Sequence, residues 1–567
     1  MKAKDLIERG SKLFNQRKAI TTLWQEIAEN FYPQRADFTL TRYVGEEFAE
    51  HLYSSYPLLV HRELSNSIAS MLRPRKKEWF IIAVDEHESL SKGAKAWLEW
   101  ATARMRTAMY DRKAHFVRAT TEGDADFTAF GQCCITREIN WAAEKPHLLY
   151  RCWHLRDVAW AEGSDGAIGE IFIKWKPTIR QLKQQFGEER LHASMLQLCR
   201  TNKSGDLTEV DCMRLVISSD IYAGRNGEFA QTPGSPLQQM GNMTAWVIVY
   251  LDVTNNHIIH EQGVPSHGIT LPRWQTVSGS QYAYSPATVA GLPDARLIQS
   301  MTLTLLEAGE VSVRPPMIAT QDAIRSDIQL YAGGITWADV EYDERKGDVL
   351  RPITQDRRGL PMGYEAHDRQ QMALAEAFYI NKLTLPPPQG DMTAFEVGQR
   401  VEEYVRAALP LFEPMEHEYN GQLCEDTFDA LLRAGHFGAI RDIPAELQGR
   451  DVHFKFVSPL HDAIERKNAS EFLESADLIE RAMTLDPNAV MAMDVSTALR
   501  SALEGVGLAE KHIRSPRELQ RLVAEKQQQE DMMAAAAMSQ QAGKGARDIA
   551  QAQKTMAETP GGGAELI

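Results

Sequence analysis

The chain has 567 residues, 43% hydrophobic and 25% charged, an ordinary globular balance with length enough for several domains. Its formal net charge of -15 argues against a protein that grips DNA by broad phosphate neutralisation, which needs a basic face, but not against one that lets DNA slide past. The N-terminal MKAKDLIERGSKLF is polar and amphipathic rather than signal-like, and no stretch approaches the roughly 20 apolar residues that cross a bilayer, so no membrane partner is expected.

Leu6 to Phe31 reads as helix, with Leu6, Leu13, Phe14, Leu23, Trp24 and Ile27 on one side and Pro33 beyond the stop. His61 to Leu72 is a second helical run. It leads into RPRKKEWF, Arg73 to Phe80, a basic cluster that can touch phosphate but more commonly solvates a helix end, followed by strand-like WFIIAV. Lys92 to Phe130 is again predicted helical, with Trp97, Trp100, Met105 and Met109 on a packed face. From Gly131 the texture changes to CCITREI, HLLYRCW, EIFIKW, MRLVISS and WVIVYLDV, antiparallel strands interrupted by one helix at Ile179 to Phe186. The first half is therefore α+β, helices followed by a sheet.

Pro293 stands at a first helical position, and Leu297, Ile298, Met301, Leu305 and Leu306 beyond it mark a helix of about 20 residues that RPPM, Arg314 to Met317, stops. Short strands and a Gly333-Gly334 turn fill Ile318 to Arg358, and a helix of similar length, Tyr364 to Leu383, runs back. Matched helices around a small β-rich excursion make a stalk with a tip. Next come a proline-rich loop and the longest helical pattern of the chain, in which Val397, Val401, Val405, Ala408, Phe412, Met415, Tyr419 and Leu423 keep one apolar stripe. Thr393 and Glu396 have capping-box spacing, Gly435 supplies a left-handed stop, and Pro410 and Pro414 inside the pattern predict a kinked rod. Val452 to Val457 reads as a strand returning to the sheet. Leu460 to Met483, Ser496 to Leu503 and a Gln/Ala/Met-rich stretch from Arg517 to about Gln541 read as helices, and ETPGGGAELI at the end has nothing to bury.

No constellation for chemistry emerges. The chain lacks G-x-x-x-x-G-K-[ST], H-E-x-x-H, paired C-x-x-C and G-x-S-x-G, so no nucleotide cradle, zinc site or nucleophile elbow is predicted, and no cofactor, metal or catalytic residue is assigned. His257 and His260, at i and i+3, can share a metal, although exposed loop histidines are far commoner. The six cysteines, Cys133, Cys134, Cys152, Cys199, Cys212 and Cys424, form no C-x-x-C pair and are expected reduced and mostly buried.

Taken in order, the motifs resemble the bacteriophage head-to-tail connecting protein family, the portal proteins of short-tailed, podovirus-type phages. Trp24, Glu26 and Pro33 match a W-x-E then P pattern. Ala69-Ser70-Met71-Leu72 with Glu78-Trp79-Phe80, Phe130-Gly131, and Ile179-Arg180-Gln181-Leu182 with Phe186-Gly187 also fit. Tyr282 to Asp294 is similar to Y-G-R-x-P followed by a-L-P-D, with Ala283 and Tyr284 where glycine and arginine are usual. Met392-Thr393-Ala394 with Glu396 and Arg400 continues the match. So do Ser458-Pro459-Leu460, Leu485-Asp486-Pro487, Asp494-Val495, Gly505-Val506-Gly507 and Ser515-Pro516.

The resemblance implies an α+β portal fold with a helical and β-rich wing over 1–290, a two-helix stem at 291–315 and 362–383, and a small β-rich clip at 316–361. A tunnel loop follows at 384–392, then a long kinked wing helix with its return strand at 393–457, a helical crown at 458–515 and a Gln/Ala-rich tail at 516–567. It further implies a dodecameric ring at one capsid vertex of the virion, built in the host cytoplasm. Double-stranded DNA would be driven through it by a separate terminase large subunit. Major capsid, scaffolding and tail adaptor proteins would be the other partners, and the ring itself would not be an enzyme. Thr384, Leu385, Pro386, Pro387, Pro388, Gln389, Gly390 and Asp391 would face the channel, the prolines either stiffening that lip or ending the stem helix. Lys382 and Arg369 would brush phosphate or stay solvated. Twelve copies at -15 give a ring of about -180, a wall that repels a phosphate backbone. The competing readings are a phage enzyme of DNA metabolism and a scaffold-like capsid protein that forms no ring.

Overall fold

The computed structural model describes residues 2–319 with short breaks, of which 224–244 is the longest, then 324, 337, 350–352, 359–380 and 412–457 with two breaks. Beyond 457 it describes isolated pieces, the longest being 494–505 and 524–530. The chain divides into two compact units, Met1–Ala463 and Ile464–Ile567.

The first unit opens with α1 (Ala3–Gln16) and α2 (Lys18–Phe31). The single helix expected from Leu6 to Phe31 is thus two. Its break is Arg17, whose guanidinium is drawn inward to donate to Leu155 O at 2.6 Å and also to Arg156 O. The hydrophobic period runs unbroken through this point, so only the tertiary contact separates the helices. α3 (Tyr56–Leu72) leads to strand β1 (Phe80–Val84). The next expected helix is likewise split, into α4 (Lys92–Met109) and α5 (Phe116–Phe130). Asp111 caps the turn between them by accepting from Lys113 N at 2.8 Å, and His115 adopts φ +54°.

α5 lies at the centre of this helical layer. Its Thr128 Oγ1 and Ala125 O each sit 2.9 Å from Nε2 of His61 on α3. Burial pushes the His61 imidazole down to about 4, against 6.5 for a free histidine. The folded protein therefore keeps His61 neutral where the unfolded chain takes up a proton. Stability from this site is complete above about pH 6.5 and is lost as the pH falls towards 4, roughly 3 kcal/mol in all. Urea midpoints measured at pH 7 and pH 4.5 should differ more in the parent protein than in His61→Gln.

Past α5, Gly131 turns the chain with φ +77°. A side chain there would stand 2.7 Å from the Tyr284 carbonyl carbon and 2.9 Å from Ser285 N, so glycine is required twice, for its backbone angle and for the close approach. β2 (Cys134–Asn140) and β3 (His147–Trp153) pair antiparallel in the register Cys134 to Trp153. β4 (Val158–Glu162) and β5 (Ile168–Trp175) follow, then α6 (Ile179–Phe186), α7 (Ala193–Thr201), β6 (Cys212–Ser218) and the short α8 (Ser219–Ala223). β7 (Trp246–Asp252), β8 (His257–Val264) and β9 (Ile269–Thr270) complete the set. β4 to β8 form an antiparallel meander in chain order, while β3, β2 and β9 form a second sheet.

Alternation along these strands puts Met213, Leu215, Ile217, Val247, Val249 and Leu251 under Leu6 of α1. Cys212, Tyr250 and Ile259 face α6 and α7 instead. His257 and His260 lie in strand β8, not in a loop. His260 Nδ1 is 2.6 Å from Arg190 and His257 Nε2 is 3.0 Å from Arg190 O. All six cysteines are free thiols, five of them buried.

α9 (Leu292–Val313) is entered through a π turn, Ala287–Gly291, and is followed by β10 (Met317–Ala319). β11 (Leu350–Pro352) pairs antiparallel with β10, and α10 (Gly359–Ala377) returns alongside α9. After residue 412 a second π turn, Glu416–Gly421, leads into α11 (Gln422–Arg433). That helix ends as Gly435 predicts, with φ +71° and a bond from His436 N to Leu431 O at 3.0 Å. β12 (Val452–Phe456) returns, but to β1 in a separate two-stranded ribbon, Phe80 opposite Phe456, rather than to the main sheet. In the second unit α12 (Val495–Gly505) is described. Asp494 just before it accepts from Thr497 N at 3.2 Å, a side-chain cap. No helix among the described residues is long and apolar enough to cross a membrane.

Candidate functional site

The paired helices α9 and α10 are the element on which the sequence places function, and their inner faces are held by few but specific contacts. Thr302 Oγ1 lies 3.0 Å from His367 Nε2, and Gln370 Nε2 donates to Asp294 Oδ1 at 2.6 Å. Gly363 admits the Leu305 side chain, which comes within 3.0 Å of where a Cβ would stand. Leu374 near the C-terminal end of α10 and Phe378 just beyond it are fully buried. Away from this seam the pair is exposed and acidic. Exposed Glu307, Glu310, Glu365, Asp368 and Glu376 are matched on these two helices by only two guanidiniums, Arg296 and Arg369. Both are already engaged, Arg296 with Glu26 and Arg369 with Glu365, each at 2.5 Å.

The foot of the pair is seated in the helical layer. Gly291 closes the π turn so that the Phe378 ring comes within 2.6 Å of where its Cβ would be, with the Phe31 ring 3.2 Å away. The two rings pack against each other at 5.1 Å between centroids, their planes tilted by 32°. Gln299 clamps the chain before α3, accepting from Tyr53 N and Ser54 N and donating to Ser54 O, all at 2.8 Å. Ser285 Oγ, just before the π turn, donates to Ala129 O at 2.6 Å, tying the foot to α5.

The second π turn is fixed to the opposite side of α5 by a buried polar cluster. Arg73 ion-pairs with Asp124 and donates to Asn420 Oδ1 at 2.8 Å, while Asn420 Nδ2 donates to Leu72 O at 3.1 Å. The Tyr419 ring lies beneath the guanidinium at 4.5 Å. Burial alone would lower the Arg73 guanidinium, but Asp124 and Tyr419 hold it above its ordinary value. Arg73 is therefore a structural cation and not the solvated helix end that the RPRKK run suggested.

The residues singled out from sequence are distributed unevenly over the structure. Arg369 is 77% exposed on the outer face of α10. Pro414 lies two residues before the π turn Glu416–Gly421. Thr384, Leu385, Pro386, Pro387, Pro388, Gln389, Gly390 and Asp391, with Lys382 and Pro410, lie outside the described residues. Sequence reasoning missed Gln299, Gly291 and Phe378, which hold the pair in place. The only available signal was Gly291 two residues before the helix-starting Pro293. Among the described residues no group of three or more His, Cys, Asp or Glu is placed to hold a metal.

Comparison with known proteins gives a consistent result. The model of the family described as bacteriophage head to tail connecting protein matches residues 3–514. The probable portal protein of Bordetella phage BPP-1 is 24% identical over 463 residues, 81% of this chain and 79% of that protein. The portal protein of Salmonella phage epsilon15 is 20% identical over 559 residues, 97% of this chain and 95% of that protein.

Proposed function

The chain belongs to the bacteriophage head to tail connecting protein family and serves as a portal, and from that premise we propose how its parts divide the work. Twelve copies close into a ring at one vertex of the capsid, with α9 and α10 as the stem around the bore and the β10–β11 ribbon at the clip. The segment 384–391 forms the lip that meets DNA, the kinked helix from 393 onward spans the wing, 458–515 supplies the crown and 516–567 the tail. A separate terminase large subunit drives double-stranded DNA through the bore. Tail adaptor proteins close the vertex afterwards, and capsid and scaffolding proteins surround it during assembly in the host cytoplasm.

The observation that carries this reading is the family match over nearly the whole chain, from 3 to 514. Physical support comes from the acidic stem. Its carboxylates outnumber its guanidiniums, and both guanidiniums are engaged, so phosphate meets a wall that holds it weakly and DNA can move. The role is structural, with the energy for transport supplied by the motor. Mass measurement of the purified protein tests the assembly. A species about twelve times the 63.8 kDa chain supports the ring, and a monomer at all concentrations supports the scaffold-like alternative. Cleavage of DNA or turnover of ATP by the purified chain would support an enzyme instead.

A further inference from the structure

Both stem helices carry a backbone irregularity at the same level. α9 is entered through the π turn Ala287–Gly291, in which Leu292 N–H reaches back five residues to Ala287 O. α10 ends at Phe378 and Tyr379, and Tyr379 adopts φ +58°, the left-handed region that a bulky side chain resists. Its N–H closes the turn on Glu376 O at 3.0 Å, and Ile380, the next residue, is helical again. Tyr379 is thus a left-handed residue between the right-handed α10 and Ile380. The two irregularities touch, because the Phe378 ring is the group that fills the space left by Gly291.

Among the described helix ends only the turn before α5 puts another large side chain at this angle, His115 at φ +54°. α5 and α11 stop on Gly131 and Gly435, at φ +77° and +71°, where glycine takes the left-handed angle without a penalty. A permanent stop after α10 needs only the same residue. Tyrosine instead biases the backbone against the turned form and keeps the right-handed form, in which α10 runs on through Ile380, within reach. A π turn holds one residue more than an α turn and can release or absorb it, so α9 can follow such a change without breaking.

We propose that the stem foot is a two-position hinge, with Tyr379 switching between left- and right-handed backbone, Phe378 as the pivot against Phe31 and Gly291, and the π turn taking up the compensating shift in α9. This goes beyond the portal role itself. It rests on backbone geometry within one subunit, so a ring that failed to form would not decide it, nor would loss of the hinge disprove the ring.

The test is a distance measurement by single-molecule energy transfer between dyes on Lys18→Cys in α2 and Met362→Cys in α10, both exposed positions, in full-length protein with a small minority of subunits labelled. Five native cysteines are buried, and Cys199→Ser removes the sixth. The parent protein should show two distance populations. Tyr379→Gly should shift the ratio towards one of them by roughly fivefold or more, and Tyr379→Val, whose branched side chain tolerates the left-handed angle least, should shift it the other way. A single population unaffected by either substitution overturns the hinge, as does a shift in the same direction for both. Circular dichroism on each variant establishes that the fold is retained before distances are compared.

Discussion

Replacing Arg73 with methionine should cost about 3–5 kcal/mol of stability, because it leaves the Asp124 carboxylate buried without its partner. The same substitution removes the donor to Asn420 Oδ1 and the cation above the Tyr419 ring, so α3, α5 and the second π turn lose a common anchor at one stroke. Urea unfolding of the purified protein measures the loss. The double variant Arg73→Met with Asp124→Leu should recover much of it, since no unpaired charge is then left inside. A single-variant loss below about 1 kcal/mol, in the range of an exposed ion pair, would show that the cluster is not the anchor described here.

The second large effect is expected at the lip. Glycine in place of Pro386, Pro387 and Pro388 should leave the ring mass unchanged while sharply reducing DNA packaged and retained. Proline restricts φ and offers no N–H, so the three together favour an extended segment, whereas glycine is the most permissive residue. At roughly 0.4–1 kcal/mol of backbone freedom per position, the extended form should fall in population by about tenfold or more. Genome content of particles assembled with the variant is the readout. Normal filling would remove the lip from the mechanism and leave the prolines as a helix stop.

How far the sequence could be read depends on whether a feature was decided locally. The start of α9 at Pro293 and the stop of α11 at Gly435 are set by residues that permit little else, and both lie where the spacing puts them. Strands β2, β3, β5, β6 and β7 were visible for the same reason, through runs such as EIFIKW and WVIVYLDV that fit only a buried or half-buried sheet, whereas β4 was not singled out. The breaks at Arg17 and His115 were not, because the hydrophobic period continues through both and a distant contact or cap interrupts the helix. Arg73 looked like its basic neighbours, and only the fold brings Asp124 and Asn420 to it. Tyr379 gives no warning at all, since no glycine or asparagine marks the left-handed position. At the candidate site, the two helices and their antiparallel pairing were legible. Their seat, made by Gly291, Phe31, Phe378 and Gln299, required three dimensions.

The account depends most on the claim that α9 and α10 from many subunits surround an open passage. Electron cryo-microscopy of the purified assembly examines that directly. The expected density is a closed ring with an axial bore, the outer faces of these helices bearing Glu365, Asp368 and Glu376 turned towards the opening. Particles without a bore, or rings in which the α9–α10 pair projects outward away from the axis, would contradict it.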